Sequence, residues 1–322
     1  MTRTADLHEP VLLDECLADL GPGGLPGALV VDGTLGDGGH AEAILERTAP
    51  SGRLVGLDRD GEALARASAR LARFGERALL VHASFADLAE VLAERALGPV
   101  DAVLLDLGVS SRQLDAAERG FRFGEASADE TPLDMRMDPS SGSSAAELLR
   151  DADEATLAHW FRAYGELPGA GRLARAIVEE RRRRPLRTAA DLLRLVRATG
   201  VGRGRRHHPA TLVFQALRLA VNDELAALEA ALDQAPAVLR PGGRLLVIAY
   251  HSLEDRAVKQ RLLALERGCV CPPELPVCRC GRRPVLRRVT RRAIRPGPEE
   301  VRRNPRARSA RLRVAERLPE AS

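Results

Sequence analysis

Lysine is almost missing from this chain: Lys259 is the single one among 49 basic residues in a length of 322. Such a skew reads as a composition bias, so the choice of arginine at any one position says little and only its clustering carries weight. Aromatics are scarce at 3%. No apolar run reaches the roughly 18 residues of a membrane-spanning helix, which argues against a membrane protein. Asp6, Glu9, Asp14 and Glu15 fall where a signal peptide would need its apolar core, so the expected compartment is the cytoplasm. In that compartment the five cysteines do not suggest a disulfide framework. What remains, 45% hydrophobic and 29% charged residues, is the composition of an ordinary globular protein. The length allows two domains, or one large domain carrying an insertion.

Charge is uneven along the chain. From residue 267 onward there are 16 arginines against five glutamates and no aspartate, a local net of +11 within a total of +4, which leaves −7 for residues 1–266. A basic tail on an acidic body suits a polyanionic partner, with nucleic acid the favoured reading over a merely solvated surface.

Apolar runs and turn signals give an alternation of strands and helices. Ala28–Val31, Arg53–Leu57, Ala78–Val81 and Val100–Leu105 read as buried strands, the first, second and fourth followed at once by Asp32, Asp58 and Asp106. That rhythm implies a parallel, doubly wound α/β sheet. Between about Arg112 and His208 it stops. This stretch offers a loop over Gly120–Ser144, then helix patterns at Ala145–Tyr164, Gly169–Arg184 and Thr188–Thr199, with Thr188 a plausible N-cap. Beyond it, Phe214, Leu217, Val221, Leu225, Leu228 and Leu232 make one helix face. Arg244–Tyr250 then reads as a buried strand, and the alternation in Ala310–Ala315 suits an edge strand. The expected organisation is a discontinuous domain, 1–111 with 209–322, into which an all-helical domain, 112–208, is inserted for substrate recognition.

Asp32-Gly-Thr-Leu-Gly-Asp-Gly-Gly-His40 lies between the first strand and its helix. Glycines there allow a tight turn and close approach of a ligand. Asp58, ending the next strand, is placed to accept hydrogen bonds from both ribose hydroxyls of an adenosine. NAD and S-adenosylmethionine share this layout. NAD needs a pyrophosphate at the helix start, where Asp37 would repel it. Asp32 suits the cationic end of a methionine, so charge favours S-adenosylmethionine. Phe85, after the third strand, is a candidate wall for adenine, and Asp106 stands at the carboxyl edge, where such sheets bind ligands.

Several phrases then resemble one family, the RsmH (MraW) 16S rRNA cytosine-N4 methyltransferases of bacteria. They include His8-Glu-Pro-Val-Leu-Leu-Asp-Glu15, Asp32–His40, Leu57-Asp-Arg-Asp60, Leu104–Ser111 and Gln113-Leu-Asp115. Glu118-Arg-Gly-Phe121, Pro132-Leu-Asp-Met-Arg-Met-Asp138, Arg175–Val178, His208–Thr211, His251–Arg256 and Asn304–Ser309 continue the series, in order, over nearly the whole chain. The resemblance implies a class I S-adenosylmethionine-dependent methyltransferase, its Rossmann-like sheet interrupted by the helical domain. It implies methylation of N4 of a decoding-centre cytidine in 16S rRNA within the small ribosomal subunit, with no protein partner or membrane called for. It places cofactor contacts on Gly38, Gly39, His40, Asp58, Phe85, Asp106 and Gln113. Residue spacing alone reaches five of these; His40 and Gln113 come only from the family. Asp106, with the carbonyls of Leu107–Val109, is the candidate acceptor for the amino protons. Asp134, Arg136, His251 and Ser252 are candidates to grip the base or its phosphates, and Arg181–Arg184 with the tail to hold RNA backbone. One departure stands out: the loop between Phe123 and Pro132 is long, and Thr131 replaces a usual glycine.

Cys269-Val-Cys271 and Cys278-Arg-Cys280 are two C-x-C pairs that could either ligate zinc or remain reduced thiols in a loop. The spacing is tighter than in common zinc knuckles, and no metal is assigned from sequence.

Overall fold

Alternate residues of a strand face opposite sides of its sheet, and here both sides are covered. Val31, Val55, Leu57, Val103, Leu105, Leu245 and Val247 pack into one core. Their neighbours Val30, Leu54, Ala102, Leu104, Leu246 and Ile248 pack into a second. This explains why the strands read as continuous apolar runs. In this computed structural model, residues 9–21, 26–122, 131–202, 208–272, 275–277 and 279–319 are described. The chain divides into two units, Met1–Gly108 with Leu225–Ser322, and Val109–Glu224.

The first unit holds β1 (Leu29–Asp32), β2 (Arg53–Asp58), β3 (Ala78–His82), β4 (Val100–Asp106), β5 (Leu239–Ala249), β6 (Leu286–Arg288) and β7 (Arg311–Arg317). Their order across the sheet is β3-β2-β1-β4-β5-β7-β6. β1 to β5 run parallel, and β7 is antiparallel to both β5 and β6. Five parallel strands closed by an antiparallel pair are the sheet expected from the resemblance to class I methyltransferases. Register aligns Asp32 with Gly56, Asp58 with His82 and Asp106 with Ile248, so the three strand-ending acids share the carboxyl edge.

β7 is not the edge strand that its alternation suggests; it lies between β5 and β6. Its polar residue Arg313 is buried because its guanidinium meets Asp255 at 2.7 Å, and Arg311 reaches the other oxygen of the same carboxylate at 2.7 Å. An ion pair has taken the place that solvent was expected to fill.

Among the described residues of the second unit every regular element is a helix, apart from an isolated bridge between Pro132 and Thr188. Phe161, Leu173, Ile177, Leu192, Val213 and Leu217 form the centre of its core. Thr188 caps Ala189–Thr199 in a reciprocal capping box with Asp191. The pattern over Ala145–Tyr164 is two helices rather than one, Ala145–Asp151 and Glu154–Ala163, because Asp153 caps the second by accepting from Thr156 N. The long face running from Phe214 is likewise broken. Asp223 takes a left-handed φ of 49° and separates Pro209–Asn222 from Glu224–Val238, a conformation that aspartate tolerates better than most residues. Helix Pro209–Asn222 therefore packs within the second unit, although the boundary drawn from sequence, at 208/209, gives it to the sheet.

Candidate active site

The turn after β1 is held by its own backbone and by two acids. Asp32 Oδ1 accepts from Thr34 N at 3.1 Å, Asp58 Oδ2 accepts from Gly36 N at 2.7 Å, and Leu35 N donates to Leu57 O at 2.9 Å. Gly38 is the N-cap of the helix Gly39–Arg47 with φ 79°, a conformation that favours glycine. Gly39 is needed for a different reason: a Cβ there would lie 2.6 Å from Pro10 Cγ. At Gly33 a Cβ would lie 2.5 Å from Leu105 Cδ2 and 3.1 Å from Phe85 Cβ. These two glycines answer to packing within the chain, independently of any ligand.

Asp37 does not present an open charge at the helix start. Its Oδ1 accepts from Arg66 Nε at 2.7 Å, which weakens the argument that it repels a pyrophosphate. The electrostatic case moves to the acids beneath the turn. Asp32 is 1% exposed, and its Oδ2 is buried without a hydrogen-bond partner. Burial pushes its carboxyl up to about 6, against the lowering influence of His40 and the Thr34 amide; Asp106 and Asp58 raise it further. An unpaired buried carboxylate is costly unless a positive group meets it.

Asp106 is higher still. Burial pushes it up to about 7 and Glu254 adds to the rise, while a hydrogen bond from Tyr250 opposes both. That bond, from the Tyr250 hydroxyl to Asp106 Oδ1, is 2.9 Å. The main-chain N–H of Asp106 donates to Thr34 Oγ1 at 2.6 Å. On the other side stands His40, whose Nδ1 is 3.7 Å from Asp106 Oδ2, beyond hydrogen-bond length. His40 Nε2 is 3.0 Å from Val11 O. A carbonyl only accepts, so Nε2 carries the proton. Burial lowers the His40 pKa, leaving a neutral ring with a bare Nδ1 facing the carboxyl. Neither partner of Asp106 is a cation.

Asp58 is also raised by burial, offset by hydrogen bonds from Asp60 N and Gly36 N. Each of its oxygens has taken one amide, at 2.8 Å for Oδ1 and 2.7 Å for Oδ2, which leaves lone pairs on both for a further donor. Phe85 is half-buried at the start of a short 3-10 turn capped by Ser84. The Arg59 guanidinium stands 5.9 Å from its ring centroid. Gly38, Gly39, His40, Asp58, Phe85 and Asp106 thus belong to the first unit. Gln113 lies in the second, where it forms a reciprocal capping box with Ser110 on the helix Ser111–Asp115.

Sequence reasoning missed Tyr250 as a site residue. It follows β5 directly, a position that should have singled it out at the carboxyl edge, and it is one of only two tyrosines. The proposed grips resolve into local structure. Arg136 binds both oxygens of Asp134 at 2.8 Å, and His251 caps the helix Ser252–Arg267. Arg181 donates to Leu149 O and Ala152 O at 2.7 and 2.6 Å, so it closes a helix end. Residues 123–130 of the long loop lie outside the described residues, while Thr131 is buried and its carbonyl accepts from Ala189 N.

Residues 5–318 match the profile of the MraW methylase family. A ribosomal RNA small subunit methyltransferase H of Syntrophus aciditrophicus is 50% identical over 97% of this chain and 98% of its own length. Its namesake from Thermomicrobium roseum is 51% identical, covering 97% and 94%. That from Syntrophotalea carbinolica is 50% identical, covering 99% and 100%.

Proposed function

The chain belongs to the MraW methylase family, and from that premise we propose that it moves the methyl group of S-adenosylmethionine to the exocyclic N4 of a decoding-centre cytidine in 16S rRNA of the small ribosomal subunit. The observation that carries the reading to the site is the buried, unpartnered carboxylate oxygen of Asp32 beside the raised Asp106. These are neighbouring buried acids suited to a ligand bearing sulfonium and ammonium charges. The full-length likeness to proteins named ribosomal RNA small subunit methyltransferase H supports the RNA substrate.

The bound cofactor supplies an electrophilic methyl on sulfur. Asp58 has lone pairs left to take the ribose hydroxyls, Phe85 offers a wall for adenine, and Asp32 answers the amino-acid ammonium. Gly38, Gly39, His40 and Gln113 complete the proposed cofactor contacts. The N4 of cytosine is a poor nucleophile, since its lone pair is delocalised into the ring. The residues around it therefore act mainly by position and by accepting its protons. Asp106 is assigned that role. A carboxyl with a pKa near neutrality is suited to exchange a proton at working pH, and Tyr250 fixes its orientation through Oδ1. The target base must leave its stack to reach the methyl group, and the helical unit, bounded by sequence at 112–208 and by contacts at Val109–Glu224, is assigned to recognising the RNA around it.

The test is nucleoside mass spectrometry of rRNA from a strain lacking this protein. Loss of N4-methylcytidine from small-subunit rRNA, restored by the wild-type chain but not by Asp106→Asn, is the expected outcome. Unchanged N4-methylation in the deletion strain would refute the assignment.

A further inference from the structure

Outside the methyl-transfer site, the segment joining the helix Ser252–Arg267 to β6 has no helix or strand among its described residues. It also has little to bury. Val270 is 61% exposed, Val277 70% and Leu275 40%, so apolar packing does not hold this stretch in place. What the segment does bring together is sulfur. The Sγ atoms of Cys269, Cys271 and Cys280 all lie within 4.8 Å of one another.

We propose that these three cysteines ligate a structural zinc ion that clips the segment closed. The sulfur separations exclude a disulfide and match a shared metal ion. Cys269 Sγ and Cys280 Sγ are 3.7 Å apart, far longer than the roughly 2.05 Å of a disulfide. Ligands at about 2.3 Å from a tetrahedral zinc stand about 3.8 Å from one another, which is the separation found. A second feature fits thiolate ligands: the main-chain N–H of Arg279 donates to Cys271 Sγ at 3.3 Å. Amide donors to sulfur are the outer-shell support that orients a metal ligand and disperses its charge. The C-x-C spacing brings both ends of the segment to the same point, and Cys278, in the second pair, lies outside the described residues.

A zinc ion here would do for the segment what a core does elsewhere, since metal binding contributes directly to folding where burial is insufficient. It would also fix a stretch rich in arginine, Arg279, Arg282 and Arg283, ahead of β6. Three thiolates leave one of the four tetrahedral positions to a further donor.

The proposal is tested on the full-length protein purified without chelator. Elemental analysis is expected to find about one zinc per chain, falling at least tenfold in Cys269→Ser and in Cys280→Ser. The folded wild type should show its tail thiols unreactive to Ellman's reagent until a chelator is added, when at least the three of Cys269, Cys271 and Cys280 respond. Titrating metal-stripped protein with cobalt(II) should give the visible bands and thiolate charge-transfer absorption of tetrahedral coordination, which covers loss of zinc during purification. Absence of that spectrum, together with tail thiols that react before any chelator is added, would overturn it. So would an intact mass showing disulfides in these cysteines.

Discussion

Asp106 and Tyr250 form a hydrogen-bonded pair at the carboxyl edge of the sheet, and each changes what the other can do. The phenol donates to Oδ1 and so holds the carboxyl below where burial alone would put it. Removing the donor in Tyr250→Phe therefore raises the Asp106 pKa. If Asp106 accepts protons as its carboxylate, activity climbs as pH rises through that pKa, and the variant's acidic limb moves to higher pH. A hydrogen bond to a charged group contributes about 1.5–3 kcal/mol, and one pH unit corresponds to about 1.4 kcal/mol, so the limb should move by roughly one unit or more. The measurement is kcat against pH at saturating cofactor and RNA. A profile superimposable on that of the wild type would show that the hydrogen bond does not act on the reacting group. Asp106 was legible in the sequence because it ends an apolar strand. Tyr250 was legible by the same rule, one residue past β5, and was passed over because an aromatic at the end of such a run reads equally well as core. The Arg66–Asp37 pair was hidden too, since its members are 29 positions apart and nothing in their spacing joins them.

Among the elements, strands were easier to read than helix ends. Buried parallel strands announce themselves by unbroken apolar runs, and β1 to β4 match theirs to within a residue or so. The helix face through Leu217, Val221, Leu225, Leu228 and Leu232 misled because its spacing continues straight across Asp223, where the backbone changes direction. β7 misled because a buried arginine looks like a solvent-facing one until its partner is known. That partner, Asp255, makes a test possible. Asp255→Ala leaves the buried Arg313 without its anion, and removing one member of a buried pair costs about 3–5 kcal/mol. Urea denaturation should show a loss of that size. Arg311→Ala, which takes away the more exposed guanidinium and leaves the inner pair intact, should cost much less. Equal losses from the two would place the stabilisation somewhere other than the inner pair.

For the whole molecule, the excess of arginine in the tail was legible by counting, but its availability was not. Arg288 is engaged with Glu266, and Arg311 and Arg313 with Asp255, acids that lie before the tail, so a local net of +11 overstates what an RNA would meet. With about five phosphates contacted, affinity for small-subunit rRNA should fall on the order of a hundredfold between roughly 50 and 200 mM salt. Filter binding or anisotropy across that range gives the slope directly, and a flat response would remove the tail from RNA binding.

The place of β7 between β5 and β6 also sets a schedule. β6 comes earlier in the chain than the strand it pairs with, so during synthesis it emerges with no strand beside it and must wait. Until β7 has left the ribosome, β5 presents an open flank of unpaired amides and carbonyls, the kind of edge on which nascent chains cross-pair. The five parallel strands can assemble progressively from their own segment order, but the sheet closes in a single late event. A protein whose relatives are named for acting on the small ribosomal subunit would thus remain vulnerable to aggregation until Arg311–Arg317 has itself emerged from the ribosome.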